Sequence, residues 1–153
     1  MQDFKTNPGG SPAYIVKDAA RALVRRAEAR LRPLGLGVAY LPVMAALKNG
    51  QAKTQADLAR LLGVEQPSMA QLLARMERDG LLDRTPDPHH NRSQIVKLTA
   101  AGKNKLPLSI EAMNEGNLVA LRGFSPEEVE QFVVFLKRFN SNLEAARQVE
   151  ISV

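Results

Sequence analysis

Apolar residues recur at helical spacing along most of this chain, and the breaks between those stretches fall at glycine and proline. Ile15, Val16, Ala19, Ala20, Leu23, Val24, Ala27 and Leu31 form a wide apolar face on a first helix. It starts at Ser11 and Pro12 and runs to Arg32 before Pro33. Leu34-Gly35-Leu36-Gly37 reads as a turn. A second helix follows from about Ala39 to Leu47. Pro42 is tolerated in its first turn, and Val43, Met44 and Leu47 point inward. Asn49-Gly50 breaks the chain. A third helix opens at Thr54, whose hydroxyl can cap free N–H groups, with Asp57 at the positive end of the helix dipole. Leu58, Leu61 and Leu62 give its apolar side, and Gly63 ends it. A fourth helix starts near Gln66 with Pro67 in its first turn. Met69, Leu72, Leu73 and Met76 fall at i, i+3, i+4 and i+7, which makes one buried stripe, and Gly80 closes the helix.

The pattern then changes. Leu81 and Leu82, and later Ile95, Val96 and Leu98, are short strand candidates flanking a loop from Asp83 to Gln94 that holds Pro86, Asp87, Pro88 and Asn91. Beyond this hairpin, Thr99 caps a long helix that Pro107 is expected to kink; Leu106, Ile110 and Met113, then Leu118 and Leu121, keep one face apolar as far as Gly123. Ser125-Pro126-Glu127-Glu128 starts a last helix. Val129, Phe132, Val133, Leu136, Phe139 and Leu143 follow its periodicity, with Phe135 on a second side. Two short helices joined by a tight turn and followed by a hairpin make a winged helix-turn-helix, a shape that puts its second helix in the DNA major groove. The expected architecture is mainly α. Residues 1–37 form a tail and dimerisation helix, 38–99 the winged lobe, and 100–153 the closing dimerisation helices.

QADLARLLGV, QPSMAQLLARMERDGLLDR, and the run DP, NRS and KLTAAG together resemble the MarR family of bacterial transcriptional regulators. The similarity also covers the flanking helices in order and length. The wing departs from the family at His90 and Asn91, where the family carries aspartate and arginine. The resemblance implies a DNA-binding regulator, most simply a repressor. It also implies a small, often aromatic, effector bound between the dimer helices and the DNA-binding lobe that lowers DNA affinity. Tyr14, Tyr40, Met44 and Phe4 are near enough in the chain to line such a pocket.

Composition narrows the class. The 153 residues are 44% apolar and 24% charged, ordinary for one soluble domain. No apolar run is long enough to span a membrane, and the start MQDFKTNPGGSP has no signal core and reads as a loose tail. With no cysteine, disulfides and thiol chemistry are excluded, which fits a cytoplasmic protein. No nucleophile-and-base pattern, phosphate loop or HExxH is present, so neither catalysis nor a cofactor is expected. Asp87, His89 and His90 read as an exposed wing tip and not as a metal cluster.

The net charge of +5 is unevenly placed. Residues 1–53 carry nine Lys/Arg against three Asp/Glu; residues 54–99 carry six of each; residues 100–153 carry six against seven. The segment 54–99, expected to read DNA, is thus neutral by count, and the case for DNA rests on where residues sit. Ser68, Gln71 and Arg75 lie off the buried stripe of the fourth helix and face out. Arg84, His90, Asn91 and Arg92 belong to the wing, with Arg92 the candidate for the minor groove. The first-helix arginines, Arg21, Arg25, Arg26 and Arg30, can meet flanking phosphates or acidic residues of a partner's C-terminal helices, the second being the preferred reading. Leu23, Phe132, Leu136 and Phe139 carry the expected homodimer contact, because apolar residues on more than one side of the last helix need more cover than one small domain supplies. A second class of function fits the same residues: a winged helix used only for protein–protein docking, without specific DNA contacts.

Overall fold

The computed structural model describes residues 10–88 and 93–151. The elements run α1 (Pro12–Leu31), a 3₁₀ turn (Arg32–Leu34), α2 (Tyr40–Lys48), α3 (Gln55–Leu62), α4 (Gln66–Arg78), β1 (Leu82–Pro86), β2 (Gln94–Leu98), α5 (Ala100–Ala120) and α6 (Pro126–Ile151). The chain forms two compact units, one ending at Gly116 and one beginning at Asn117. Among the described residues no helix is long and apolar enough to cross a membrane.

Local chemistry sets the helix starts. The Ser11 hydroxyl accepts the Tyr14 N–H at 3.2 Å, and Pro12 opens α1. Thr54 caps α3 reciprocally: its hydroxyl accepts the Asp57 N–H at 3.2 Å, and the Asp57 carboxylate accepts the Thr54 N–H at 3.1 Å. Hydrogen bonding from the Thr54 side chain, then from the Lys53 N–H at 3.2 Å, holds the Asp57 carboxyl below the usual carboxylate range. Gly63 ends α3 at φ 63°, a left-handed conformation that costs glycine little. In the second unit Ser125 and Glu128 form the same reciprocal cap at the start of α6, with bonds of 2.8 and 3.2 Å.

The hydrophobic core lies in the first unit. Leu31 from α1, Val43 and Met44 from α2, Leu58 from α3, and Met69, Leu73 and Met76 from α4 are fully buried there with Leu81, Leu82 and Leu106. The apolar face of α1 is covered only toward its C-terminal end: Ala27 and Leu31 are buried, while Ile15 and Val24 stay 56% and 44% exposed. Two first-helix arginines find an acid within this same chain. Arg30 bonds to Glu115 of α5, and Arg26 lies 3.7 Å from the same carboxylate. Pro107 lies inside α5, which continues on both sides of it.

The hairpin is longer than its apolar residues indicate. β1 extends through Asp83–Pro86, expected to be loop, and pairs antiparallel with β2 from Leu82↔Leu98 to Pro86↔Gln94. Non-local pairing overrides the weak strand propensity of Asp83 and Pro86; Asp83 faces the oppositely charged Lys97, and Pro86 takes the last position. On its other side β2 meets the chain before α3, where the Val96 N–H donates to the Lys53 carbonyl at 2.8 Å.

The root of the hairpin is locked to α5. The Thr99 hydroxyl donates to the Gly80 carbonyl at 2.7 Å and accepts the Gly102 N–H at 3.0 Å, while the Thr99 N–H donates to the Leu81 carbonyl at 3.1 Å. Gly102 is packed so closely that a Cβ there would lie 2.1 Å from the Leu81 carbonyl oxygen, which is backbone and cannot swing aside. Gly102→Ala is therefore expected to lower stability by about 2 kcal/mol or more, the cost of overpacking against fixed backbone. Urea unfolding checks this; a wild-type midpoint in the variant contradicts the packing described.

Candidate nucleic-acid interface

α4 has two chemically opposite faces. Met69, Leu72, Leu73 and Met76 are buried, and Ser68, Gln71, Arg75 and Arg78 are exposed. Ser68, Gln71 and Arg75 are spaced three and four residues apart, so they stand above one another along the outer face. The sequence expectation for these three residues is met in their placement.

Both flanks of the helix are tied by polar contacts. Gln66 and Glu77, about three turns apart, share one flank. The Gln55 amide of α3 donates to the Gln66 side-chain oxygen at 3.1 Å. Arg84 of β1 donates through Nε to Glu77 Oε2 at 2.9 Å, and its Nη2 reaches the same oxygen. That guanidinium holds the Glu77 carboxyl below its ordinary range. On the other flank the Tyr40 hydroxyl of α2 donates to Asp79 Oδ2 at 2.7 Å, just past the end of α4. Three different elements thus grip α4 and leave its outer face free.

Not every expected site residue is placed with the outer face. Arg84 is engaged by Glu77 and its side chain is only 22% exposed. His90, Asn91 and Arg92, with Phe4 of the expected effector group and His89, lie outside the described residues. Leu23 is half-buried against Gly116, Phe132 is exposed, and Leu136 and Phe139 are half-buried. The ties at Gln55, Gln66, Glu77, Asp79 and Tyr40 were not legible beforehand as contacts. Their one sequence signal is that Gln66 and Glu77 border the buried stripe of α4.

A cleft of about 560 Å³ opens beside α4, lined by Glu28, Arg32, Gly35, Leu36, Gly37, Ala39, Tyr40, Arg75, Asp79 and Lys105. Glu28 Oε1 accepts the Val38 N–H at 2.9 Å, and Lys105 Nζ donates to the Leu34 carbonyl at 2.7 Å, so its wall is braced from α1 and α5. Of the residues named for an effector, Tyr40 lines this cleft. Met44 does not: it is fully buried in the core. Tyr14 stands exposed on α1 with the Lys17 ammonium 4.7 Å from its ring centre. Among the described residues no group of acids and histidines is arranged to hold a metal.

Residues 34–93, the span from the turn before α2 through the wing, match the MarR family model. Over that span the chain is similar to the MarR family. Its fold superposes on a mutant MarR from E. coli complexed with operator DNA, with a TM-score of 0.76 and 20% identity over 91% of this chain and 99% of that one. It superposes comparably on the transcriptional regulator SlyA, with a TM-score of 0.75 and 26% identity over 88% and 94% of the two chains. The protein thus has the fold of a MarR-family transcriptional regulator, and the helix-turn-helix of that fold is α3 and α4.

The Tyr40–Asp79 contact yields a test of how α4 is held. Partial burial, then the hydrogen bond to Asp79, raises the Tyr40 phenol above its ordinary pKa. A raised pKa means that the protonated phenol's contribution is complete below the ordinary phenol range and is lost as pH rises through the raised value. Tyr40→Phe is expected to destabilise the protein by about 1 kcal/mol at neutral pH, the usual worth of one such bond. The difference from wild type should close at strongly alkaline pH. Paired denaturant titrations at the two pH values read both effects; equal stability at neutral pH would remove this tie.

Proposed function

We propose that this protein is a cytoplasmic, sequence-specific DNA-binding regulator of transcription, a repressor that binds a pseudo-palindromic operator as a homodimer. The observation that carries the reading is the free Ser68–Gln71–Arg75 face on a helix that is buried behind and tied on both flanks. A side chain that reads a base edge must be held at a fixed angle to the groove, and α4 is held in that way. Gln71 can offer a bidentate amide to adenine, and Ser68 and Arg75 can meet base edges or phosphates. The wing, with Arg92 at a narrow minor groove, supplies the second contact, beside His90 and Asn91. The superposed E. coli protein, complexed with operator DNA, supports the same assignment. The reading assigns no catalytic step and no cofactor.

The homodimer is supported by uncovered apolar surface at both ends of the chain. Ile15 and Val24 on α1, and Phe132, Val133, Val134, Phe135 and Leu143 on α6, are each 41% exposed or more in the single chain. Surface of that kind marks an interface. In this reading residues 1–37 and 100–153 dimerise, with Leu23, Phe132, Leu136 and Phe139 in the contact, and 38–99 reads DNA. An aromatic effector fits the cleft beside Tyr40, where its binding would press on Arg75 and Asp79 of the reading helix and weaken DNA binding.

A mobility shift on the DNA beside its own gene, against a scrambled duplex at the same salt, tests the function. The protein is expected to prefer its site, with half-sites about 10 base pairs apart, and Gln71→Ala to weaken binding by about 1–3 kcal/mol. Equal affinity for both duplexes would remove the DNA reading and leave a docking role. The dimer has its own test: Phe132→Asp puts an unpaired charge into an apolar contact, so sedimentation should show monomers and site binding should fall with dimerisation. A wild-type monomer at micromolar concentration would contradict the interface.

A further inference from the structure

We propose that Arg84 is a positioning residue and not a DNA contact: with Glu77 it fixes the angle between the wing and α4, and through that angle the preference for one DNA sequence. This rests on the DNA-binding reading above and assigns Arg84 a different part in it from the one its sequence position suggests.

The geometry separates the two roles. Nε and Nη2 of Arg84 both point at Glu77 Oε2, so the guanidinium lies side-on against the carboxylate. Its side chain is 22% exposed, and its charge is already matched. To meet a phosphate it would have to leave Glu77. Arg84 is also the third of five residues in β1 and pairs with Val96, the residue whose N–H reaches the Lys53 carbonyl ahead of α3. The ion pair therefore grips the hairpin at its centre, where the sheet is also joined to the helix-turn-helix. Glu77 lies in the last turns of α4, on the flank shared with Gln66. Gln55 holds one end of that flank and Arg84 holds the other. Without the Arg84 contact the hairpin would be held to the helix-turn-helix only on its Lys53 side, and could tilt against α4 while that helix stays seated by Met69, Leu73 and Met76.

Electrostatics and positioning predict opposite signs for one substitution. Glu77 is a negative charge on the proposed DNA-binding lobe, so removing it strengthens attraction to phosphate in general. If the carboxylate serves only as a surface charge, Glu77→Gln binds every duplex at least as tightly as wild type. If it positions the wing, Glu77→Gln loses about tenfold in affinity for the preferred site and loses nothing on scrambled DNA. Partial unfolding would lower both affinities, so the divergence of the two is not produced by a structural defect.

The experiment titrates wild type, Glu77→Gln, Arg84→Glu and the charge-swapped double variant Glu77→Arg with Arg84→Glu. Each is measured on the site found by footprinting and on a scrambled duplex at one salt concentration. The expected result is selective loss in Glu77→Gln and recovery of site preference in the double variant relative to Arg84→Glu alone. Undiminished site affinity in Glu77→Gln overturns the proposal while the wild-type preference stands. Should Glu77→Gln fail to fold, a swapped pair no better than Arg84→Glu alone overturns it equally. A wild type with no preference between the duplexes removes the DNA reading itself, and this inference with it.

Discussion

The structure depends on the seat of one helix. Met69, Leu73 and Met76 of α4 are fully buried, and truncating any one of them would cost about 2–5 kcal/mol, so the helix cannot leave the core without unfolding the first unit. Apolar contact of this kind is non-directional, however, and fixes which face is inside more firmly than it fixes rotation or tilt. The polar ties supply direction. Gln55, Arg84 and Tyr40 come from three elements and meet α4 at its start, its last turns and just past its end. Burial fixes the depth of the helix, hydrogen bonds fix its orientation, and the outer face is left free for contacts with another molecule.

The same division bears on the segment 54–99, which carries six Lys/Arg against six Asp/Glu. Several of its charges are committed internally: Arg84 to Glu77, Asp57 to the cap of α3, and Asp79 to Tyr40. What remains outward on α4 is a short stripe with Arg75 and Arg78. On the proposed reading such a surface attracts DNA weakly in bulk, and most of its discrimination comes from geometry. Arg75 and Asp79 also line the cleft that contains Tyr40, so the C-terminal end of α4 forms part of its wall. On the proposed reading, an effector in that cleft would act on the Tyr40–Asp79 tie that helps orient α4.

The sequence showed what is local and missed what is assembled from distant residues. Ser11-Pro12, Thr54 with Asp57, and Ser125-Pro126 with the acids after it were legible because a helix cap is complete within four residues. The buried stripe of α4 was legible because periodicity reports which face turns inward, and Ser68, Gln71 and Arg75 followed as its complement. β1 was underestimated because Asp83 and Pro86 have little strand preference of their own and take it from β2 across the hairpin. Arg84 read as a free wing charge because its partner depends on the length of that strand. Met44 carries two sequence readings, inward by periodicity and pocket-lining by proximity in the chain; it turns into the core, as periodicity indicates. Glu115, which Arg26 and Arg30 meet, is 85 residues from Arg30, and no local pattern links them.

Methylation protection of DNA tests most directly the claim that α4 is a fixed reading helix. A helix seated and tied in this way should shield purine N7 atoms in the major groove, in two short patches about one helical turn apart on one face of the duplex. Gln71→Ala should expose the shielded positions while leaving the spacing of the patches unchanged. Protection confined to the minor groove, or spread evenly along the duplex with no paired patches, would contradict the account.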